Sequence, residues 1–177
     1  MIRTKFAPPA AGEYAEYFER YINKFTPEDF LVAFEQQIDP VRQLFGSISE
    51  EQASELHEPY TWNLKQVMGH LIDCERIFGT RLLRVAVGDE TPIPGMDQNV
   101  YVDGLDYDAV TMASLLDEFE NLRRANVLLA DRIPAESLER MGTASDSPIS
   151  AKANLFILGG HVDYHLEIVT RRLGKDT

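Results

Sequence analysis

Apolar residues recur at three- and four-residue intervals along nearly the whole chain, and no stretch alternates convincingly between apolar and polar. A chain patterned this way buries its apolar stripes by packing helix on helix. Its 177 residues suffice for one domain that removes about two-thirds of its unfolded surface from water. Tyr14, Tyr17, Phe18 and Tyr21 share a face of a short helix expected over about 12–24. Residues 1–25 are therefore expected to form an N-terminal extension packed on the main body. Thr26 and Pro27 are expected to open a long helix carrying Phe30, Phe34, Ile38, Val41 and Phe45, kinked at Pro40 and ended by Gly46. Residues 49–51 read as a linking turn.

A second helix is expected from Trp62 to about Val87, with Thr61 or Asn63 as its cap and Gly88 as its stop. The stretch 89–108 is rich in Pro, Gly and Asp and is longer than an ordinary connection. A third helix follows over about 110–132, with Leu115, Leu116, Phe119, Leu122 and Leu129 facing inward. Residues 142–148 read as a polar loop. Ser150 caps a fourth helix that runs to Leu173 and stops at Gly174. The expectation is a single all-α domain over 1–177, a four-helix bundle with long crossover loops and a short extra N-terminal helix.

Charge excludes whole classes of partner. Asp and Glu number 29 against 17 Lys and Arg, a net charge of −12. No basic patch supplies the cationic field that nucleic acid or an anionic membrane surface requires. The longest apolar stretches are too short to span a bilayer, and the first nine residues lack the apolar core of a signal peptide. A single cysteine, Cys74, leaves no disulfide within the chain. A cytoplasmic location is expected, and a small molecule is the expected partner. The aromatic N-terminal face leaves a homodimer open.

The histidines carry the chemistry. His161 and His165 are four residues apart, so both imidazoles stack on one helix face, about 5–6 Å apart at Cβ. They interrupt an apolar stripe of Asn154, Ile157, Leu158, Ile168 and Val169 rather than decorating a solvated face. His70 lies on the inward stripe of the second helix with Val67, Cys74 and Phe78. Three inward imidazoles must find partners, and one shared metal ion satisfies all three. The plain alternative is three separate core histidines, each bonded to a carbonyl. His57 reads as an ordinary surface histidine. The zincin pattern is absent, because Val162 stands where its general base belongs. Three histidines without a carboxylate ligand leave a coordination position open, as in catalytic zinc sites.

Other residues gather near this stripe. Cys74, one turn from His70, is a candidate fourth ligand or a thiol touching substrate, with plain core packing as the alternative. Arg81 continues the same stripe, roughly 16 Å of helix rise beyond His70. It is a candidate for reading a substrate carboxylate, as Arg123 is more weakly; pairing with an acid is the alternative. Asp73 and Asp97 are the candidate general bases.

The segment Trp62–Phe78 with Arg81, the loop Pro92–Gln98 and the run Gly160–His165 together resemble the DinB/YfiT-like superfamily. The resemblance covers nearly the whole chain. It implies a four-helix bundle that binds a divalent metal through three histidines, here His70, His161 and His165. The family pattern often carries a further histidine directly before the last ligand, where this chain has Tyr164. Characterised members include S-transferases that use bacillithiol or mycothiol and a thiol-dependent isomerase. Others are labelled metal-dependent hydrolases without a known substrate. Zinc leads the metal expectation, with nickel, iron or manganese open. Three functions follow in order of preference. The first is a metal-dependent transferase with a low-molecular-weight thiol as co-substrate. The second is a hydrolase using metal-activated water, and the third is a non-enzymatic metal-binding stress or sensor module.

Overall fold

The computed structural model describes residues 7–174, so what was expected of residues 1–6 and 175–177 lies outside it. The helices are α1 (Glu19–Ile22), α2 (Phe30–Gln36), α3 (Ile38–Gly46), α4 (Glu50–Ser54), α5 (Leu64–Ala86), α6 (Gln98–Gly104), α7 (Met112–Asp131) and α8 (Ala151–Arg172). The consecutive pair α2–α3, separated only by Gln37, forms the first rod of a four-helix bundle, and α5, α7 and α8 form the others. Helix α5 packs on both α7 and α8, α3 packs on α7, and α1 lies across α8. None of the described helices is long and apolar enough to cross a membrane.

Local chemistry sets the helix ends. Asn63 accepts from the Gln66 amide while the Gln66 side chain accepts from the Asn63 amide, a reciprocal cap at the start of α5. Ser150 accepts from the Ala153 amide and starts α8. Gly88 and Gly174, beyond the ends of α5 and α8, take the left-handed conformation that favours glycine. The first rod begins at Phe30 rather than beside Pro27, because Asp29 supplies the cap to Val32. Its break falls at Gln37 instead of at Pro40. Pro40 then occupies the first turn of α3, where its missing amide hydrogen has no helical acceptor to lose.

Three connections carry more structure than expected. Ser49 and Gln52 form a reciprocal cap, making residues 50–54 a helix rather than a turn. Within 89–108, Asp97 caps α6. The expectation of no strand is corrected by a small hairpin, β1 (Met141–Ala144) paired antiparallel with β2 (Ser147–Ser150). Both turn residues, Ser145 and Asp146, have positive φ, at 53° and 58°, as a two-residue hairpin turn of this hand requires. Ile93 bonds the Thr143 carbonyl and the Ser145 amide, tying the 89–108 connection to the hairpin.

The N-terminal segment is a 3-10 turn, Glu16–Phe18, running into the single turn of α1. It approaches α8 closely. A Cβ on Gly160 would collide with the Tyr21 carbonyl, and one on Gly159 with the Phe25 ring. The two adjacent glycines thus let α1 press onto α8 one residue before His161, which seats the Tyr21 ring 5.2 Å from the His161 ring.

Candidate metal centre

Helices α5 and α8 bring His70, His161 and His165 together, with one ligand atom from each lying within 4.8 Å of the others. Ring centres are 4.5–5.0 Å apart. Nε2 of His70 lies 3.1 Å from Nε2 of His161. Two nitrogens on a tetrahedral zinc ion, each about 2.0–2.1 Å from it, stand roughly 3.3 Å apart, so the observed spacing suits one shared ion. Imidazole donors alone, without a carboxylate, also suit zinc and its first-row neighbours.

Burial prepares these rings as ligands. His70 is 2% exposed, and the loss of solvent holds its pKa down to about 4. Burial, reinforced by repulsion from His70, takes His165 to about 3, and it pushes His161 well below the usual imidazole range. All three are neutral at pH 7, with lone pairs free for a metal. Their native pKa values lie below those of the unfolded chain, so acid protonates the unfolded state first. Metal-free protein should therefore lose stability as pH falls from about 6.5, by about 2 kcal/mol at pH 5 from His70 alone. Melting of chelator-treated protein at pH 7.5 and pH 5 checks this. His70→Gln should flatten the slope, and an unchanged slope would contradict the cause assigned.

A cavity of about 340 Å³ opens beside the cluster, lined by His70, Cys74 and His161 at one end and by Arg81 and Ser145 among other residues. Phe18 and Tyr21 of the N-terminal segment form its apolar wall with Phe78 of α5. Phe18 stacks edge-on against Phe78 at 6.1 Å. Trp62 covers the other side of His70, with ring centres 5.0 Å apart.

The remaining expected site residues part company here. Cys74 Sγ sits 3.7 Å from His70 Nε2 and 3.9 Å from His161 Nε2 and faces the cavity. Burial raises its pKa, so it remains a thiol. Arg81 also lines the cavity, on the far side of Phe78 from the cluster. Phe78 bridges them, 5.2 Å from the guanidinium carbon and 6.3 Å from the His161 ring centre. Asp73 does not join them: it is buried on another face of α5, accepting from the Tyr107 hydroxyl at 2.5 Å. Asp97 is exposed and engaged as the cap of α6. Neither lines the cavity.

Arg123 needs the firmest correction. It is fully buried in the bundle, ion-paired with Glu75 at 2.5 Å and donating to Gln37 Oε1 at 2.7 Å. Gln37 in turn donates to Asp163 at 2.6 Å. This chain of polar groups ties α5, α7 and α8 to the first rod, and Arg123 is not among the described residues that line the cavity. Arg84, near the end of α5, pairs with Asp89 at 2.7 Å. Ser145 at the hairpin tip went unrecognised in the sequence, and the aromatic face of residues 17–21, visible there, was not expected to wall the site.

The class defined here is a four-helix bundle in which three converging histidines form a donor set that could hold a metal ion. The DinB superfamily model matches residues 33–169, and the chain belongs to that family. Its fold is similar to that of YfiT from Bacillus subtilis, described as a probable metal-dependent hydrolase with an unusual four-helix bundle topology. That similarity has a TM-score of 0.71 at 17% identity and covers 94% of this chain and 93% of YfiT. A mycothiol-dependent maleylpyruvate isomerase is similar at a TM-score of 0.67 and 11% identity, over 82% of this chain. This chain spans 61% of the isomerase's length. At these identities the two structures speak to fold alone. No curated protein matches by sequence.

Proposed function

We propose that this chain is a metal-dependent enzyme that transfers a low-molecular-weight thiol to a small electrophilic substrate. One observation carries the reading: no carboxylate is among the described residues that line the cavity beside the histidines. Hydrolysis by a metal-activated water calls for a general base within hydrogen-bond reach, and Asp73 and Asp97 are both committed elsewhere. A thiol, with an ordinary pKa near 8.5, ionises far more readily than water and needs no such base. The mycothiol dependence of the similar isomerase supports the choice by analogy.

A divalent ion held by His70, His161 and His165, zinc first among the choices, would supply positive charge that favours thiolate over thiol at neutral pH. The chain's own residues do the rest. Burial keeps the three imidazoles unprotonated, and Phe18, Tyr21 and Phe78 exclude water from the reacting atoms. In the transfer the thiol proton passes to solvent and the sulfur lone pair forms the new C–S bond. The leaving group departs with the electron pair of the bond that breaks.

The test compares zinc-loaded protein on two substrates: 1-chloro-2,4-dinitrobenzene with N-acetylcysteine, and p-nitrophenyl acetate without thiol. Conjugation above the uncatalysed rate is expected, and it should be lost with chelator and in His70→Ala. Ester turnover without conjugation would establish the hydrolase instead.

A further inference from the structure

The cavity beside the histidines contains one formally charged side chain in a protein of net charge −12. Among the described residues that line it, Arg81 is the sole cation and there is no acid. Arg81 is 3% exposed. A guanidinium taken that far from water is normally matched by a carboxylate. Here Nη2 donates only to neutral groups, the Pro94 carbonyl and Ser145 Oγ, each at 3.1 Å. Its buried Nε has no partner among the described residues, as is also true of Arg123 Nε. The two arginines differ in the carboxylate: Arg123 meets Glu75 at 2.5 Å, whereas Arg81 meets no acid among the described residues.

The geometry points to a carboxylate subsite formed by Arg81 and Ser145, which makes the substrates of this cavity compact amphiphilic carboxylates. The Nη1 hydrogens and the Ser145 hydroxyl hydrogen are unclaimed among the described residues, since both bonds of the guanidinium come from Nη2 and the Ser145 oxygen accepts one of them. Donors from both groups beside a delocalised cation match the two oxygens of a carboxylate. The hairpin holds Ser145 at this place in a left-handed backbone conformation that a residue other than glycine seldom adopts. Phe78 spans the interval between guanidinium and His161, so the ligand's middle is apolar and about one aromatic ring long. The far end of such a ligand reaches the histidines. Only that reactive end rests on the metal-dependent reading; the charge recognition is independent of it.

The experiment is calorimetric titration of the full zinc-loaded chain with 3-phenylpropanoate and with its neutral amide, 3-phenylpropanamide. The carboxylate should bind about tenfold tighter or better. Arg81→Met should bring the two ligands to equal affinity, Arg81→Lys should restore part of the preference, and Ser145→Ala should reduce it about threefold. His70→Ala should keep the preference, because the subsite does not depend on the ion. Circular dichroism reports whether each variant folds; should Arg81→Met fail to, wild type and Ser145→Ala still decide. Equal binding of both ligands by wild type, or of neither, overturns the assignment. A preference that survives Arg81→Met also overturns it, as does one lost in His70→Ala, which would place the carboxylate on the metal. Elemental analysis of the same samples reads the metal question separately: wild-type protein that takes up no zinc yet keeps the preference overturns the metal-dependent reading alone.

Discussion

His70→Ala is expected to abolish stoichiometric binding of a divalent metal while leaving the bundle folded. His161 and His165 both sit on α8, so His70 is the ligand that closes the site from α5. Two imidazoles one helical turn apart still attract metal, but without the third the affinity should fall by more than about a hundredfold, beyond what the loss of an outer-shell contact costs. Stability reads the same event. At a thousandfold excess over its dissociation constant, a metal that binds only the native state adds about 4 kcal/mol. Wild type should gain that increment on metal addition and lose it with chelator, and His70→Ala should show neither response. A variant that retains metal and its thermal increment would show that the ion sits elsewhere.

Arg123→Met should be destabilising by about 3–5 kcal/mol, with no selective effect on substrate affinity. The substitution strands the Glu75 carboxylate, 2% exposed, with Asn126 as its remaining side-chain partner. Breaking one side of a buried pair costs more than the pair itself contributes. The double variant Arg123→Met with Glu75→Leu should therefore recover much of the loss. Chemical denaturation of both variants decides the matter. If the single variant unfolds at wild-type denaturant but binds substrate more weakly, Arg123 belongs to recognition after all.

The sequence made the long helices and their ends readable because each end has a local chemical cause. Asn63, Ser150, Gly88 and Gly174 act within a few residues of themselves, and their roles need no tertiary context. The three histidines were legible for a related reason: helical spacing alone puts His161 and His165 on one face, and an imidazole on an apolar stripe stands out. What was missed either lacks a local signal or depends on contacts distant in the chain. The hairpin strands are four residues each, too short for an alternating pattern, and their turn uses Ser145–Asp146 rather than the glycine pairs that announce such turns. Arg81 and Arg123 look alike on their stripes. Only the fold shows that Arg123 meets Glu75 while Arg81 meets no carboxylate among the described residues. The aromatic face of residues 14–21 was visible, but its place over the site depends on the close approach that Gly159 and Gly160 permit.

The central claim is that one divalent ion is held by three neutral histidines with a position left open toward the cavity. Anomalous diffraction from crystals of the zinc-loaded protein, collected across the metal absorption edge, tests it most directly. The account predicts a single strong peak about 2.0–2.1 Å from one nitrogen each of His70, His161 and His165, its remaining coordination facing Phe78 and Arg81. No peak at that point, or a peak ligated by surface carboxylates instead, would contradict it.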